Sequence, residues 1–242
     1  MTNTTQTPAL FLDFDGTASS RDAVDLILEK FADKRWRAIE EEWRAGRIGS
    51  RECLARQMAL VRAAPRDLDA LLAAIELDAG LGALLEACAR LDVPVAVVSD
   101  GFDYCIRRVL AGACDPRVKK LLRGVRVCSS HLSYSGASRW RAEFPYFPKT
   151  CAHGCATCKP AVMELLNARG AATVFVGDGL SDAYAAREAD FVFAKNGLAR
   201  ICRAGGIWHT TFESLAEVAA RLEDVVAELS CLTYDAGAGA RA

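Results

Sequence analysis

Residues 10–17 read LFLDFDGT. Three apolar residues lead into Asp13, Phe14 and Asp15, and Gly16 and Thr17 follow. A run this short and apolar fits a buried strand, and the glycine marks where the chain leaves it. On extended backbone, residues i and i+2 share a face, so the pattern delivers two carboxylates to one place. Open α/β sheets build their sites outside the carboxyl ends of such strands. The stretch therefore predicts both a strand and a site at its tip.

Working outward, similar apolar, β-branched runs recur at 93–99 (VPVAVVS), 124–130 (GVRVCSS), 172–178 (ATVFVGD) and 190–194 (DFVFA), with the first spanning 9–14. Helical periodicity fills most intervals, which predicts an α/β chain on a Rossmann-like, mostly parallel sheet. The interval after the first strand is different. It shows five amphipathic segments, at 20–32, 34–45, 50–62, 66–76 and 80–91, and no strand. Trp36, Ile39 and Trp43 fall on one helical face while Arg37, Glu41 and Glu42 fall elsewhere. Ser50 and Pro65 follow breaks in the pattern and open new helices. The simplest organisation is a core of 1–18 and 93–231 with an inserted helical-bundle cap at 19–92. Residues 131–158 form a hairpin and cysteine-rich excursion, with YSGA (134–137) as its turn. The tail at 232–242 is expected to fray.

Thirty basic and 31 acidic side chains leave a formal charge of −1. With no long basic run, nucleic acid and an anionic membrane surface are poor partners. No leader-like segment and no apolar stretch of membrane-spanning length is seen, which places the expected location in the cytoplasm. Ten cysteines then read as buried thiols or metal ligands and not as a disulfide framework.

Read in order, DFDGT (13–17), VVSDG (97–101), Lys159 and GDGLSD (177–182) resemble the four motifs of the haloacid dehalogenase superfamily over nearly the whole chain. The resemblance implies that superfamily's fold and a Mg²⁺-dependent phosphatase, a phosphomonoesterase acting on a small phosphorylated metabolite. By position in the motifs it makes Asp13 the nucleophile, which forms an aspartyl phosphate and divides one hard displacement into two easier ones. Asp15 takes the part of the acid that protonates the departing alkoxide and then activates water. Mg²⁺ is implied between Asp13, the backbone carbonyl of Asp15 and Asp178, with Asp182 holding a ligand water or Lys159. Ser99 and the backbone N–H of Gly101 are implied to grip phosphate oxygens at the start of a helix near 101. Lys159 offsets the charge of the transferring group. Gly16 lets the chain turn away beside the phosphate, and Thr17 ties the loop down. Plainer roles exist for single residues: Ser99 as a helix cap, Asp182 as a first-turn acid, Lys159 as a surface lysine.

A helical insert directly after the first motif resembles the phosphoserine phosphatase branch. Within it, the chain resembles the methionine-salvage phosphatases that act on 2-hydroxy-3-keto-5-methylthiopentenyl 1-phosphate, and the phosphoethanolamine and phosphocholine phosphatases. The salvage enzymes tend to carry Ser-Gly-Gly at the second motif, whereas Ser99-Asp100-Gly101 stands closer to the phosphoethanolamine type. Asp100, with Asp103 one turn on, either faces a cationic or hydroxylated substrate or serves as a helix N-terminal acid. Two other readings are a phosphotransferase or mutase on the same scaffold, and a non-catalytic phosphate-binding module stabilised by zinc.

Cys151, His153, Cys155 and Cys158 lie within eight residues, a ligand density suited to a structural Zn²⁺ that would fix the loop carrying Lys159. His131 or Cys128 is positioned in sequence to complete the set, and reduced core thiols are the alternative. Cys53, Cys88, Cys105, Cys114, Cys202 and Cys231 read as packing residues. Trp36, Trp43 and Met58 either pack the interior of the cap or line a substrate chamber. Arg21, Arg44 and Arg47 either contact substrate or sit on a solvated helix face.

Overall fold

The computed structural model describes residues 7–167 and 170–238, with side chains as far as Ser230. Seven strands form one sheet: β1 (Ala9–Leu12), β2 (Val95–Phe102), β3 (Arg126–Gly136), β4 (Arg139–Glu143), β5 (Thr173–Gly177), β6 (Phe191–Ala194) and β7 (Thr210–Thr211). Their order is β4-β3-β2-β1-β5-β6-β7, parallel throughout except for β4 against β3. The chain builds outward from β1 to one edge and then restarts on its other side at β5. That restart creates a crevice beside the carboxyl end of β1, where the order reverses.

The continuous apolar strands have a simple cause: the sheet is covered on both faces. Leu10, Leu12, Val97, Val174, Val176, Phe191 and Phe193 join one core, while Ala9, Phe11, Ala96, Val98, Phe175 and Val192 join a second on the opposite face. The alternation follows the two-residue period of a strand. Full burial of each large side chain contributes about 1.5–3 kcal/mol. On the first face lie α5 (Leu81–Arg90), α6 (Asp103–Ala111), α7 (Pro116–Leu122) and α11 (Leu215–Ala238). The second face is covered by α8 (Lys159–Leu166), α9 (Ala183–Glu188) and α10 (Asn196–Gly205).

Between β1 and α5 run α1 (Ala23–Phe31), α2 (Trp36–Arg44), α3 (Ser50–Met58) and α4 (Pro65–Leu72). The Asp22 carboxylate caps α1 by accepting the N–H groups of Val24 and Asp25, satisfying donors the helix leaves open. Ile27, Leu28, Met58, Val61, Leu68 and Leu72 carry the first core into this insert without a break. The β3–β4 hairpin braces it from the side. Its turn residues Ala137 and Ser138 have φ of 49° and 58°, the left-handed pair that a two-residue hairpin turn demands. Trp140 then donates its indole N–H to the Ala63 carbonyl at 3.0 Å, and the Ala63 N–H donates to the Ser138 carbonyl at 3.1 Å.

Several expectations are corrected here. Helix α5, grouped with the cap by the absence of a strand before it, packs on α11 and α7, because its buried face of Leu81, Leu84, Leu85 and Cys88 belongs to the sheet core. Strand β1 stops at Leu12, since the chain then enters a tight turn at Phe14–Ala18. Strand β2 runs on to Phe102 through an irregularity after Ser99, so the following helix starts at Asp103 and not near 101. Helix α11 extends through Ala238 into the segment expected to fray, and residues 239–242 lie outside the described residues.

Replacing Trp140 with Phe keeps an aromatic ring of smaller volume against Tyr104 and Tyr134 and leaves the buried Ala63 carbonyl without its donor. A loss of about 1–2 kcal/mol is expected in urea unfolding; an unchanged midpoint would show that this bond does not hold the insert to the hairpin.

Candidate active site

Four strand ends on the carboxyl edge carry polar residues into the crevice. Asp13 follows β1, Ser99 lies in β2, Asp178 follows β5 and Asn196 follows β6. The tight turn after β1 aims Asp15 into the same space as Asp13: both line one cavity of about 570 Å³, with Gly16, Ser99, Asp100, Gly101, Asp178 and Asn196. The insert closes the far side through Asp25, Glu40, Trp43, Cys53 and Gln57. Trp43 thus faces the chamber, while Trp36 and Met58 are buried in the insert.

Lys159 is the centre of the charge arrangement. It is the first residue of α8 and is 1% exposed. Its ammonium donates to Asp13 Oδ1 at 2.6 Å and to Asp182 Oδ1. The other oxygen of Asp182 accepts the backbone N–H groups of Asp178 (3.0 Å) and Gly179 (2.9 Å), so this carboxylate is fixed from both ends. Burial opposes the charge on Lys159, but Asp13 and Asp182 outweigh it and hold its pKa above the ordinary value. Burial also lifts Asp13 well above the usual carboxylate range, and Asp182 adds to this against the pull of Lys159. Asp178 is raised for the same two reasons. One ammonium is therefore shared among more carboxylate charge than it can balance.

A hard cation fits that deficit. Oxygens of Asp13, Asp178 and Asp182 lie within 4.8 Å of one another, and an all-oxygen carboxylate set is what a hard divalent ion selects. Gly16 has φ of +76°, and a Cβ there would stand 2.7 Å from Asp178 Oδ2, so only glycine both turns the chain and leaves that oxygen open. Thr17 Oγ1 donates to Asp178 Oδ1 at 3.3 Å.

Asp15 is positioned by different partners. Its Oδ1 accepts the Ala23 N–H at 2.9 Å, at the start of α1, and its Oδ2 faces the Ser99 hydroxyl at 3.5 Å. Burial raises its pKa to about 6, against the Ala23 N–H, Lys159 and Ser99. The Gly101 N–H, expected to be free for an anion, donates to Ser99 Oγ at 3.0 Å. A Cβ at Gly101 would lie 2.3 Å from Asp15 Oδ2, so glycine there makes room for the acid. Asp100 lines the cavity, yet its carboxylate accepts the Thr157 N–H at 3.0 Å and bonds to Ser50. Asp103 accepts the Leu132 N–H and pairs with His131 Nδ1 at 2.9 Å, and both side chains line a separate cavity with Arg107 and Glu143.

The cysteine loop divides the expected zinc set. The sulfurs of Cys151, Cys155 and Cys158 converge within 4.8 Å. His153 does not join them: its ring stacks on Tyr184, with centroids 3.8 Å apart and planes at 12°. His131 is held by Asp103, and Cys128 by the Tyr146 hydroxyl. Burial works against ionisation of Cys151, but the N–H groups of Cys155 and His153 and the neighbouring thiols hold its pKa below the ordinary value. Of the packing cysteines, Cys53, Cys88, Cys105 and Cys202 are buried and Cys114 is exposed; Cys231 lies beyond the described side chains.

Sequence reading missed Asn196, whose side-chain amide donates to Asp178 Oδ2 at 3.4 Å. The signal was present, since FVFAKN (191–196) is another apolar strand ending in a polar residue. It also missed Ser50, whose hydroxyl accepts the Ala156 N–H at 2.9 Å, and nothing local marks that contact.

Residues 10–187 match the haloacid dehalogenase-like hydrolase family, and the chain belongs to it. It is similar to the 2-hydroxy-3-keto-5-methylthiopentenyl-1-phosphate phosphatase of Geobacillus kaustophilus, 27% identical over 212 residues that cover 86% of this chain and 92% of the relative. The protein of the same description from Geobacillus thermodenitrificans is also 27% identical, over 88% of this chain and 94% of its own. Among solved structures, a phospho-aspartyl intermediate analogue of phosphoserine phosphatase superposes with a TM-score of 0.63 at 19% identity, over 82% of this chain and 91% of that one. Phosphoserine phosphatase from T. onnurineus gives 0.64 at 14% identity, over 93% and 97%. These structural likenesses speak to the fold.

Replacing Lys159 with Met removes the ammonium and leaves Asp13 and Asp182 facing each other in a buried site. In metal-free buffer the variant is expected to lose about 3 kcal/mol of stability, read from urea unfolding. A midpoint equal to that of the parent protein would show that the two carboxylates do not depend on Lys159.

Proposed function

We propose that this hydrolase is a phosphomonoesterase that cleaves a small phosphorylated metabolite through an aspartyl phosphate on Asp13. One observation carries the reading: Asp13 and Asp15 open side by side into one chamber, with a buried ammonium behind the first. A protein that only binds phosphate has no use for a carboxylate aimed at it.

In the proposed reaction a carboxylate oxygen of Asp13 attacks phosphorus while the bond to the substrate oxygen breaks. Asp15 gives its proton to the departing alkoxide, and the alcohol leaves. Asp15, now ionised, takes a proton from a water that attacks the acyl phosphate. Inorganic phosphate departs and Asp13 is restored. The raised pKa of Asp15 suits a group that must hold a proton in one step and accept one in the next. Ser99, held by the Gly101 N–H and only 3.5 Å from Asp15, would turn its one O–H from that carboxylate to a phosphate oxygen when substrate is bound. Lys159 neutralises Asp13 and the incoming oxygens in a site where fixed charges act strongly.

Asp13, Asp178 and the carbonyl of Asp15 would hold Mg²⁺, with Asp182 bracing them from behind; when bound, the ion supplies the positive charge that lets an anionic ester approach anionic side chains. The substrate's other end would meet Asp25, Glu40, Trp43 and Gln57. Arg44 donates to Glu40 at 3.0 Å, while Arg21 and Arg200 also line the chamber. The substrates to compare are therefore the salvage-type keto phosphate named for the relatives, small amino-alcohol phosphates and phosphoserine.

The test is phosphate release from such a panel with added Mg²⁺. Activity is expected to vanish with EDTA and to fall about a thousandfold or more in Asp13→Asn; turnover close to the parent's in that variant would remove the nucleophile assignment. Asp15→Asn is expected to slow alkyl esters by about 10²–10⁴ and an aryl ester with a stable leaving anion far less. Because Asp15 also activates water in the second step, the comparison is made on single-turnover release of the alcohol or phenol; equal losses there on both esters would show that Asp15 is not the acid.

A further inference from the structure

Among the described residues two clusters could hold a metal ion, and the acidic one belongs to the site above. The other lies in the loop between β4 and α8. We propose that Cys151, Cys155 and Cys158 bind one zinc ion through three thiolates, with the fourth position open to the cavity beside His153 and Tyr184.

The geometry carries this. Zinc–sulfur bonds of about 2.3 Å in a tetrahedron set the sulfurs about 3.8 Å apart. The three sulfurs already lie within 4.8 Å of one another with no disulfide between them, so closure needs a shift of about 1 Å at most. The N–H groups of His153 and Cys155 point at the Cys151 sulfur, as donors to an anionic ligand do. Soft thiolates select zinc over the hard ion suited to the carboxylates. Cys151 and Cys158 border a cavity of about 760 Å³ together with His153, Tyr184, Glu164 and Glu188. The imidazole is stacked on Tyr184, which leaves solvent as the fourth ligand.

The loop has three attachments that such an ion would stiffen. Thr157 bonds to Asp100 of β2, the Gly154 carbonyl accepts the Arg51 N–H of α3 at 3.0 Å, and Ala156 bonds to Ser50. Lys159 follows Cys158 directly. Zinc would thus cross-link the segment that joins sheet, insert and lysine; its effect on turnover rests on the function proposed above, whereas its binding does not.

The full-length protein, purified without chelators, is expected to retain about one zinc per chain by elemental mass spectrometry. After stripping, Co²⁺ added alone should produce thiolate-to-cobalt charge-transfer absorption with a four-coordinate visible spectrum. Cobalt held by carboxylates gives no such band, so the acidic cluster cannot mimic it. Cys155→Ser and the half-buried Cys151→Ser should each lose at least half of the band, and the exposed Cys114→Ser none. Asp13→Asn should keep both zinc and band, which separates failure of this site from failure of the phosphatase reading. Absence of the band in fully reduced protein at stoichiometric Co²⁺ would overturn the proposal, as would a zinc-free isolate with two of these thiols oxidised. Loss of the band in His153→Ala would overturn the open fourth position.

Discussion

The arrangement that the rest of the site depends on is one buried ammonium shared between two carboxylates. Lys159 touches Asp13 and Asp182 at once and is almost wholly out of water. Buried charges persist only when paired and hydrogen-bonded. That requirement explains why Asp182 spends its second oxygen on the backbone N–H groups that follow β5. It also explains why the strand ends must meet within a few ångströms, because an ammonium can reach only groups in contact with it. Even so, the carboxylates outnumber the cation, and the surplus is what a hard ion and then a phosphate dianion would have to be fitted into.

Lys159 must be delivered from outside the β1–β5 pair, and this sets the role of the loop before it. The helix it begins has eight residues, too short to hold its first side chain against a charge cluster by itself. The preceding segment is irregular from Phe144 to Cys158, and it is fastened to β2 through Asp100 and to α3 through Ser50 and Gly154. Asp100 thereby holds the loop while still lining the chamber. The same bonds link the insert to the sheet beside the chamber, in addition to the Trp140–Ala63 contact on its other flank. An insert held on both flanks walls one side of the chamber, and any movement of it away from the sheet would have to break these particular bonds.

How much of this was legible in the sequence follows from how local each determinant is. The sheet and the acidic motifs could be read because a buried strand is an apolar run and its polar residues sit immediately after it; Asp13, Asp15 and Asp178 are of that kind, whereas Lys159 follows no strand and was legible only through the resemblance of the ordered motifs. Asn196 obeys the same rule and was passed over because no charge drew attention to it. The helix α5 was assigned to the insert because periodicity shows that a helix has an apolar face and not what covers that face. His153 was grouped with the cysteines by spacing, but a loop of this kind places side chains by its turns; Gly154, at φ of +64°, reverses the chain between His153 and Cys155. Asp100 was ambiguous for a similar reason, since its partners Ser50 and Thr157 are separated from it by about half the insert and by the whole hairpin.

The two clusters then stand in a definite physical relation. The acidic one is made of the ends of β1 and β5 and the short turn Leu180–Asp182 after β5, positions fixed by the sheet and by the N–H groups that Asp182 accepts, so its oxygens are pre-organised without any ion. The thiol cluster is made of one loop with no such frame, and it sits between the frame and the lysine that the acidic site requires. A rigid sheet can present Asp13 and Asp182, but their separation is held against mutual repulsion only while Lys159 stays between them. Order in the loop is therefore a condition for order in the carboxylates. The cross-link most useful to this fold is accordingly one placed where the three thiols converge, immediately ahead of the side chain that must not move.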